Sequence, residues 1–403
     1  MRRATALVFA LALCATLAAC ATTGLRPPSQ GGRDWLELTT TNFIVRTDLE
    51  EGPARDEVRR LEALRSALLS ALLPGLELPT GQLPVIILRS SGEWRQVFRP
   101  AIAGIMVERV LFKPLILYSG GGIVQDIDLV KHELTHFILR LYLHNLPPWL
   151  DEGVALFFET MHVDAIRGIF EVGRPGKRYA QARDEMMSIE KVLSYIRAPE
   201  DLRFYATSWI LVHYLIYHQS ERFAAYRRLL QSPFTAERAW DLAFADVPMA
   251  TLEAAVKEYV KNGRYAELER PFRVPHPTPA VRTLAEVEVR RVLALLRLAS
   301  IGAGLDDAAA HRAAAIEIAE ALKLDPTDVE ANALAVVARD EKGPALAERA
   351  KIVVARHPDS WLAWTLVAMA APSESERVAA VARALDLAAG DPAISLGRLA
   401  GQP

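Results

Sequence analysis

The chain has 403 residues, of which 51% are hydrophobic and 24% charged, enough to bury more than one core. A formal net charge of -2, with both signs spread along the chain, excludes a broad basic surface for nucleic acid or anionic lipid. We therefore expect a globular protein of two domains with no nucleic-acid partner.

The N-terminal segment has the composition of an export signal. A basic start at Met1–Arg3 is followed by a mostly apolar run at residues 4–16, and the sequence LAAC ends the segment at Cys20. This ending resembles the processing box of bacterial lipoproteins, with a plain membrane anchor as the alternative. The resemblance implies a signal peptide at residues 1–19 and lipid on Cys20. Since Ala21 rather than Asp follows, it also implies the periplasmic face of the outer membrane of a bacterial cell envelope.

The mature chain is expected to contain no thiol and no disulfide. Cys14 would leave with the signal and Cys20 would carry lipid, which suits an oxidising periplasm. Residues 20–33 are rich in Gly and Pro and are predicted to form a flexible tether. Beyond them no segment has eighteen uninterrupted apolar residues, so the remainder is expected to be soluble.

Strands and helices alternate in the first half of the chain. Residues 35–47 are rich in β-branched and aromatic side chains and are predicted as strands, followed by a helix through residues 58–72. Residues 83–88 and 110–118 are predicted as further strands. Pro114 favours an edge position for the last one, because an edge strand tolerates a missing amide donor.

From Val124 the apolar positions follow the helical period, which places the sequence HELTH, residues 132–136, on a helix. Two prolines end this helix, and the second, Pro148, suits the first turn of another helix through residues 149–158. Helical periodicity continues over residues 189–265.

A second domain is predicted after a proline-rich segment. Residues 269–282 are interpreted as a linker between a first domain at residues 34–268 and a second at residues 283–403. In the second domain, Ala-rich helical runs precede prolines at close to the roughly 34-residue period of tetratricopeptide (TPR) repeats, which it resembles. The usual Trp, Leu and Gly at the front of each unit are missing, and an irregular helical bundle is the alternative. The prolines are Pro326, Pro358 and Pro392.

The HELTH sequence predicts a metal site. His132 and His136, four residues apart, project from one helix face and are flanked by Glu133. A hydrolytic zinc needs three protein ligands and an open position for water. His144 lies too far along the helix if that helix continues, whereas Glu152 returns towards the site on the next helix. We therefore predict His132, His136 and Glu152 as ligands of Zn²⁺.

Residues next to Glu152 support this interpretation. Gly153 lacks a side chain where two helices must approach closely, and Asp151 or Glu159 can orient the ligand imidazoles. The alternative is an exposed, charged amphipathic helix.

Together, HELTH at residues 132–136 and PWLDEGVA at residues 148–155 resemble the gluzincin metallopeptidases, and within them the peptidase MA-like group. The resemblance covers roughly residues 35–265. It implies an α+β, zincin-like fold with a mixed sheet, an edge strand, an active-site helix and a helical subdomain, followed here by the all-α repeat domain. It also implies His132, His136 and Glu152 as zinc ligands and Glu133 as general base. Metzincins are disfavoured because their G-x-x-H continuation is absent.

The expected activity is zinc-dependent hydrolysis of peptide bonds, of endopeptidase or aminopeptidase type. A zinc ion lowers the pKa of bound water, and Glu133 takes the proton and later returns it to the leaving amine. The oxyanion needs a further donor, for which the sequence offers Tyr205 and His213. Similar zinc peptidases place a tyrosine downstream of the glutamate ligand, so Tyr205 is preferred. The strand ending at Tyr118 is expected to pair with an extended peptide.

Two other functions remain open. The chain can be a non-catalytic envelope lipoprotein, in which the repeats bind or assemble proteins on an inactive peptidase-like fold. It can also be a chaperone-protease for outer-membrane assembly, because it shares the lipid anchor and the repeats with periplasmic peptidases of another zinc family. The glutamate of the sequence WLDEG, residues 149–153, argues against membership of that other family. The expected partners are a peptide or protein substrate, a protein bound by the repeats, and the membrane through lipid on Cys20.

Overall fold

A computed structural model describes residues 25–73, 81–100, 102, 104–110, 113–120, 124–143, 145–176, 185–339, 342–388, 391 and 394. It has a mixed α and β fold with two sheets and many helices. Within these residues, none of the helices combines the length and the apolar run that a bilayer crossing requires. The predicted signal peptide, Cys20 and His144 lie outside the described residues.

The strands are β1 (Leu36–Thr39), β2 (Phe43–Thr47), β3 (Leu83–Leu88), β4 (Gly104–Val110), β5 (Lys113–Ser119), β6 (His162–Asp164), β7 (Ile169–Val172), β8 (Leu268–Pro271) and β9 (Ala280–Thr283). The helices of the first half are α1 (Glu51–Leu72), α2 (Ser91–Trp94), α3 (Val124–Tyr142), α4 (Pro148–Glu159), α5 (Ile189–Leu193), α6 (Leu202–His218), α7 (Ser220–Leu229), α8 (Ala236–Ala243) and α9 (Met249–Asn262). The C-terminal helices are α10 (Glu286–Ala299), α11 (Asp307–Leu324), α12 (Val329–Arg339), α13 (Gly343–Arg356), α14 (Trp361–Ala370) and α15 (Glu374–Leu387).

The larger sheet has the strand order β4-β5-β3-β2-β1-β9. Strand β3 is parallel to β2 and β5, and the other neighbours are antiparallel. Because side chains alternate along a strand, Val85 and Ile87 of β3 pack in one core with α1 and α3, whereas Ile86 and Leu88 pack in a second core with α10. Helices therefore cover both faces of this sheet.

The segment predicted as a linker, residues 269–282, is instead part of the folded body. Its start belongs to β8, which pairs with β7, and its end belongs to β9, which pairs with β1. Helix α10, placed by the sequence in a separate domain, packs on the sheet. The prolines suggested a break, but Pro271 closes strand β8 at the edge of the smaller sheet, where an amide donor is not required.

The prediction that Pro114 marks an edge strand is wrong. Strand β5 lies between β4 and β3, so the edge is β4, which the sequence had not indicated. The β3–β5 ladder reaches only from Ile116 onward, and the β4–β5 register shifts between Val107 and Val110. Pro114 therefore lies beside an irregularity and beyond the β3 ladder, where it interrupts little pairing.

Part of the predicted tether contacts the C-terminal half. Pro28–Gln30 forms a 3₁₀ turn, in which the Ser29 hydroxyl donates to Glu286 Oε1 at 2.5 Å. Arg290 Nη2 donates in turn to Ser29 Oγ at 3.2 Å. The tether is therefore held against α10 at this point.

Helices α10 to α15 pack in succession, each against the next. Charged side chains join them to the larger sheet. Arg46 on β2 donates to Glu37 on β1 at 2.9 Å and to Glu330 on α12 at 3.1 Å, and Arg291 on α10 donates to Asp328 at 2.8 Å. The C-terminal helices are therefore continuous with the sheet that carries α3.

Candidate metal centre

Helix α3 positions two imidazoles. Val130, Leu134 and Ile138 recur at helical spacing, are buried, and anchor α3 in the main core. His132 and His136 are also buried, and their rings meet edge to face with centroids 4.6 Å apart. The two Nε2 atoms are 3.0 Å apart. Both imidazoles therefore converge on one point, as their spacing predicts.

The turn into α4 brings a carboxylate to the same point. Pro147 is extended and Pro148 begins the helix, and the amides of Leu150 and Asp151 donate to the Pro147 carbonyl at 3.0 and 3.1 Å. Glu152 follows within the first turns of α4. Its Oε2 lies 3.6 Å from His132 Nε2 and 3.7 Å from His136 Nε2.

The three side chains predicted as ligands therefore form one cluster. Their donor atoms, one from each of His132, His136 and Glu152, all lie within 4.8 Å of one another. Two ligand atoms bound at about 2.0–2.1 Å in a tetrahedral site are roughly 3.3 Å apart, and the observed separations scatter around that value. The cluster is compatible with a single metal ion.

Gly153 allows the close helix contact that positions Glu152. A Cβ at this position would lie 2.6 Å from the Ser208 carbonyl oxygen and 2.7 Å from Val212 Cγ2, both on α6. Real carbon atoms do not approach backbone oxygen so closely, so only glycine fits this crossing of α4 and α6. The sequence expectation of close helix packing at Gly153 is confirmed.

Carboxylates also contact the far nitrogens of the two imidazoles. Asp151 Oδ1 lies 2.5 Å from His136 Nδ1, and Arg140 Nη2 donates to the other Asp151 oxygen at 2.8 Å. Glu159 Oε2 lies 3.3 Å from His132 Nδ1. The Asp151 contact fixes the orientation and tautomer of the His136 ring and leaves its Nε2 available to a metal. Within the described residues, His132 Nδ1 lies near Glu159 but makes no hydrogen bond.

The electrostatics of the cluster favour a cation. Burial alone would lower the pKa of His132, but Glu152 and Glu159 outweigh it and raise the pKa to about 10. Burial would likewise raise the pKa of Asp151, but His136 and Arg140 lower it below its ordinary value. Burial raises the pKa of Glu133, against the opposing effect of both imidazoles. A carboxylate of raised pKa is a stronger base, which matches the role expected of Glu133.

The two oxyanion candidates on α6 differ in their surroundings. His213 is fully buried, its Nδ1 accepts from the Tyr259 hydroxyl at 2.8 Å, and its Nε2 donates to the Gly173 carbonyl at 3.1 Å. Burial lowers its pKa to about 4, so His213 is a neutral cross-link within the core. Tyr205 is half-buried, packs against the main core and lies three residues before Ser208 on α6.

Sequence reasoning missed two basic residues on α3. Arg140 lies four residues after His136, a spacing that could have indicated its shared contact with Asp151. Lys131 is buried, and its Nζ donates to Asp128 Oδ1 at 2.6 Å and to the Met161 carbonyl at 2.8 Å. Lys131 therefore ties α3 to the end of α4, a long-range contact with no sequence signal.

Comparison with known families identifies the part of the chain that carries the cluster. Residues 126–235 match the family model described as "Protein of unknown function (DUF1570)". The chain contains a DUF1570 domain. This domain includes all three clustered side chains, together with Glu133, Asp151 and Tyr205, and it runs from α3 to the loop before α8. None of the curated proteins compared with the chain matches it.

Proposed function

We propose that the chain is a zinc-dependent peptidase of the gluzincin type, with a peptidase MA-like domain. The observation that carries the proposal is the position of Glu152, whose Oε2 lies at similar distances from the Nε2 atoms of His132 and His136. Two imidazoles and one carboxylate are the donor set of a catalytic zinc, which keeps a fourth position for water.

The bound zinc would supply Lewis acidity, polarising a substrate carbonyl and lowering the pKa of water. Glu133 follows His132 directly on α3 and would accept the water proton and then donate it to the leaving amine. Tyr205 would donate to the developing oxyanion from α6. Strand β4, rather than β5, would offer its backbone to an extended peptide, since it is an edge strand of the larger sheet and contacts α3.

The proposal extends to the cell envelope. The LAAC sequence ending at Cys20 supports a lipid anchor after removal of a signal peptide, which would place the enzyme on the periplasmic face of the outer membrane. The successive helices α11 to α15 would act as a TPR-like domain that docks a substrate or a protein partner.

A second function is a non-catalytic binding or assembly lipoprotein on the same fold. It is favoured by the succession of helices α11 to α15, because stacked helices can build an extended binding surface.

Replacing Glu133 by Gln separates the two functions. The substitution keeps the shape of the side chain but removes the base, so zinc should remain bound while cleavage of a peptide library is lost. Glu258→Gln, on the exposed face of α9, is the matched control and should cleave like the wild type. Full cleavage by the Glu133→Gln protein would remove Glu133 from the reaction. Bound zinc with no cleavage by the wild type would favour the binding function.

A further inference from the structure

A cavity of about 510 Å³ adjoins α3 and α4, and its lining does not include the metal cluster. Leu139 near the end of α3 and Leu143 just after it line the cavity. Val154 and Phe158 line it from the face of α4 that does not carry Glu152. Its volume falls within the range of about 300–1,000 Å³ that is usual for small-molecule sites.

The walls of this cavity are strongly apolar. They come from α1, α3, α4, α6, α7, β7 and β8, and aromatic rings make up much of them. Phe157, Phe158, Phe170 and Phe223 all face it and are nearly inaccessible to solvent. The rim is polar and includes the exposed residues Ser70, Ser220 and Arg270. This arrangement suits a ligand with an apolar body and one polar end.

The cavity also contains an incompletely satisfied cation. Arg227 lines it, and its Nε is buried with no hydrogen-bond partner, while Nη1 makes only a long contact of 3.4 Å to the Leu72 carbonyl. Burial lowers the pKa of Arg227, and Arg228 acts in the same direction. Arg227 is half-buried, and its guanidinium carbon lies 5.3 Å from the centroid of the Phe223 ring. A partly desolvated guanidinium without an acidic partner among the described residues is available to an anion.

Two other arginines that are largely removed from solvent pair with carboxylates. Arg46 contacts two glutamates, and Arg291 contacts Asp328 at 2.8 Å. In the part of the chain that the structure describes, neither Arg227 nor Arg270 forms an ion pair with an acidic side chain. The Arg270 guanidinium donates instead to the neighbouring Glu269 carbonyl, at 3.1 Å.

We propose that this cavity binds a long-chain carboxylate, with the alkyl chain between α3, α4 and α7 and the carboxylate on Arg227 and Arg270. The apolar walls would remove the alkyl chain from water, so that each additional buried CH₂ group strengthens binding. The two guanidinium groups would donate charge-assisted hydrogen bonds to the ligand carboxylate. The ligand would thereby supply the acidic partner that neither arginine has among the described residues. This site requires no metal and is independent of the proposed peptidase activity.

Calorimetric titration of the full chain with dodecanoate, below its micelle concentration, tests the proposal. One dodecanoate should bind per chain, and dodecyltrimethylammonium, with the same tail and the opposite charge, should bind at least tenfold more weakly. Arg227→Met should weaken dodecanoate binding about tenfold through loss of a charge-assisted hydrogen bond. Arg228→Met, the exposed neighbour, should leave it unchanged.

Two further variants keep the test decisive if Arg227→Met destabilises the fold. Arg270→Met alters only the exposed rim and should still weaken dodecanoate, whereas Ile216→Trp places a larger side chain in the cavity and should block both tails. His132→Ala should bind dodecanoate normally, so this result is separate from that of the metal site. The absence of dodecanoate binding, or equal binding of the two amphiphiles, would overturn the proposal.

Discussion

Asp151 and His136 are joined at 2.5 Å between Oδ1 and Nδ1, across the gap between α4 and α3. The residue that follows Asp151 is Glu152, so one turn of α4 both orients an imidazole and supplies a carboxylate. The HELTH helix alone therefore gives only part of the cluster, and the approach angle of α4 gives the rest.

Replacing Asp151 by Asn should weaken zinc binding about 10- to 100-fold, because a carboxylate that orients a ligand imidazole is lost. Competition with a chromogenic chelator measures this affinity. Asp246→Asn, which removes an exposed partner of Arg222 on the loop after α8, is the control and should not alter it. An unchanged affinity in Asp151→Asn would mean that this contact does not support the metal site.

Gly153→Ala should destabilise the protein by about 1–3 kcal/mol, because the added methyl group overlaps the Ser208 carbonyl and forces α4 away from α6. Zinc affinity should fall with it, since Glu152 moves with α4. Gly52→Ala is the matched control, because a Cβ there meets no atom within 4 Å and alanine is the better helix former. Chemical denaturation measures both variants, and equal stability of the two would contradict the close crossing.

Glu330→Gln should cost about 1–3 kcal/mol at neutral pH, because Arg46 and Arg291 lose their shared partner. Burial alone would raise the pKa of Glu330, but the two arginines outweigh it and lower the pKa to about 2. Because the pKa of Glu330 is lower in the folded than in the unfolded chain, this carboxylate stabilises the fold at pH values above 4.5. Its contribution is lost as the pH falls from 4.5 towards 2. The difference between wild type and variant should therefore shrink over that range in denaturant titrations, while the exposed control Glu348→Gln shows no such trend.

Asp48 has the opposite pH dependence. Burial and the neighbouring Glu93 raise its pKa to about 7 from 3.8, so the folded state holds a proton that the unfolded chain releases. Stability from this group is therefore present at low pH and is lost as pH rises through 7. An asparagine side chain at this position would keep the acceptor for the Arg89 amide without a charge. The free energy of unfolding of Asp48→Asn, relative to that of the wild type, should therefore increase by more than about 1.4 kcal/mol from pH 5 to pH 8. Denaturant titrations at the two pH values measure this difference. Asp241→Asn, on the exposed face of α8, should show no pH-dependent difference.

Local patterns predicted the elements that carry the cluster. The apolar period around HELTH predicted α3, and the two prolines predicted the start of α4. The distance that the chain covers between these helices predicted Glu152 as the third ligand. All three predictions rest on helix geometry over a few turns.

The errors came from contacts distant in sequence. The interpretation of Pro114 required knowing which strands flank β5. That of residues 269–282 required knowing that they pair with β1 and β7, more than ninety residues earlier in the chain. Lys131 and Arg227 gave no signal for the same reason, since their partners or surroundings come from other elements. The helix period alone also missed the β6–β7 hairpin.

The metal content of the purified chain tests the central claim most directly. The wild type and the control His276→Ala, an exposed histidine on the segment before β9, should each retain one zinc ion per chain after dialysis. His132→Ala and Glu152→Ala should retain none while keeping wild-type helix content by circular dichroism. Zinc bound equally by all four folded proteins would contradict the site formed by His132, His136 and Glu152.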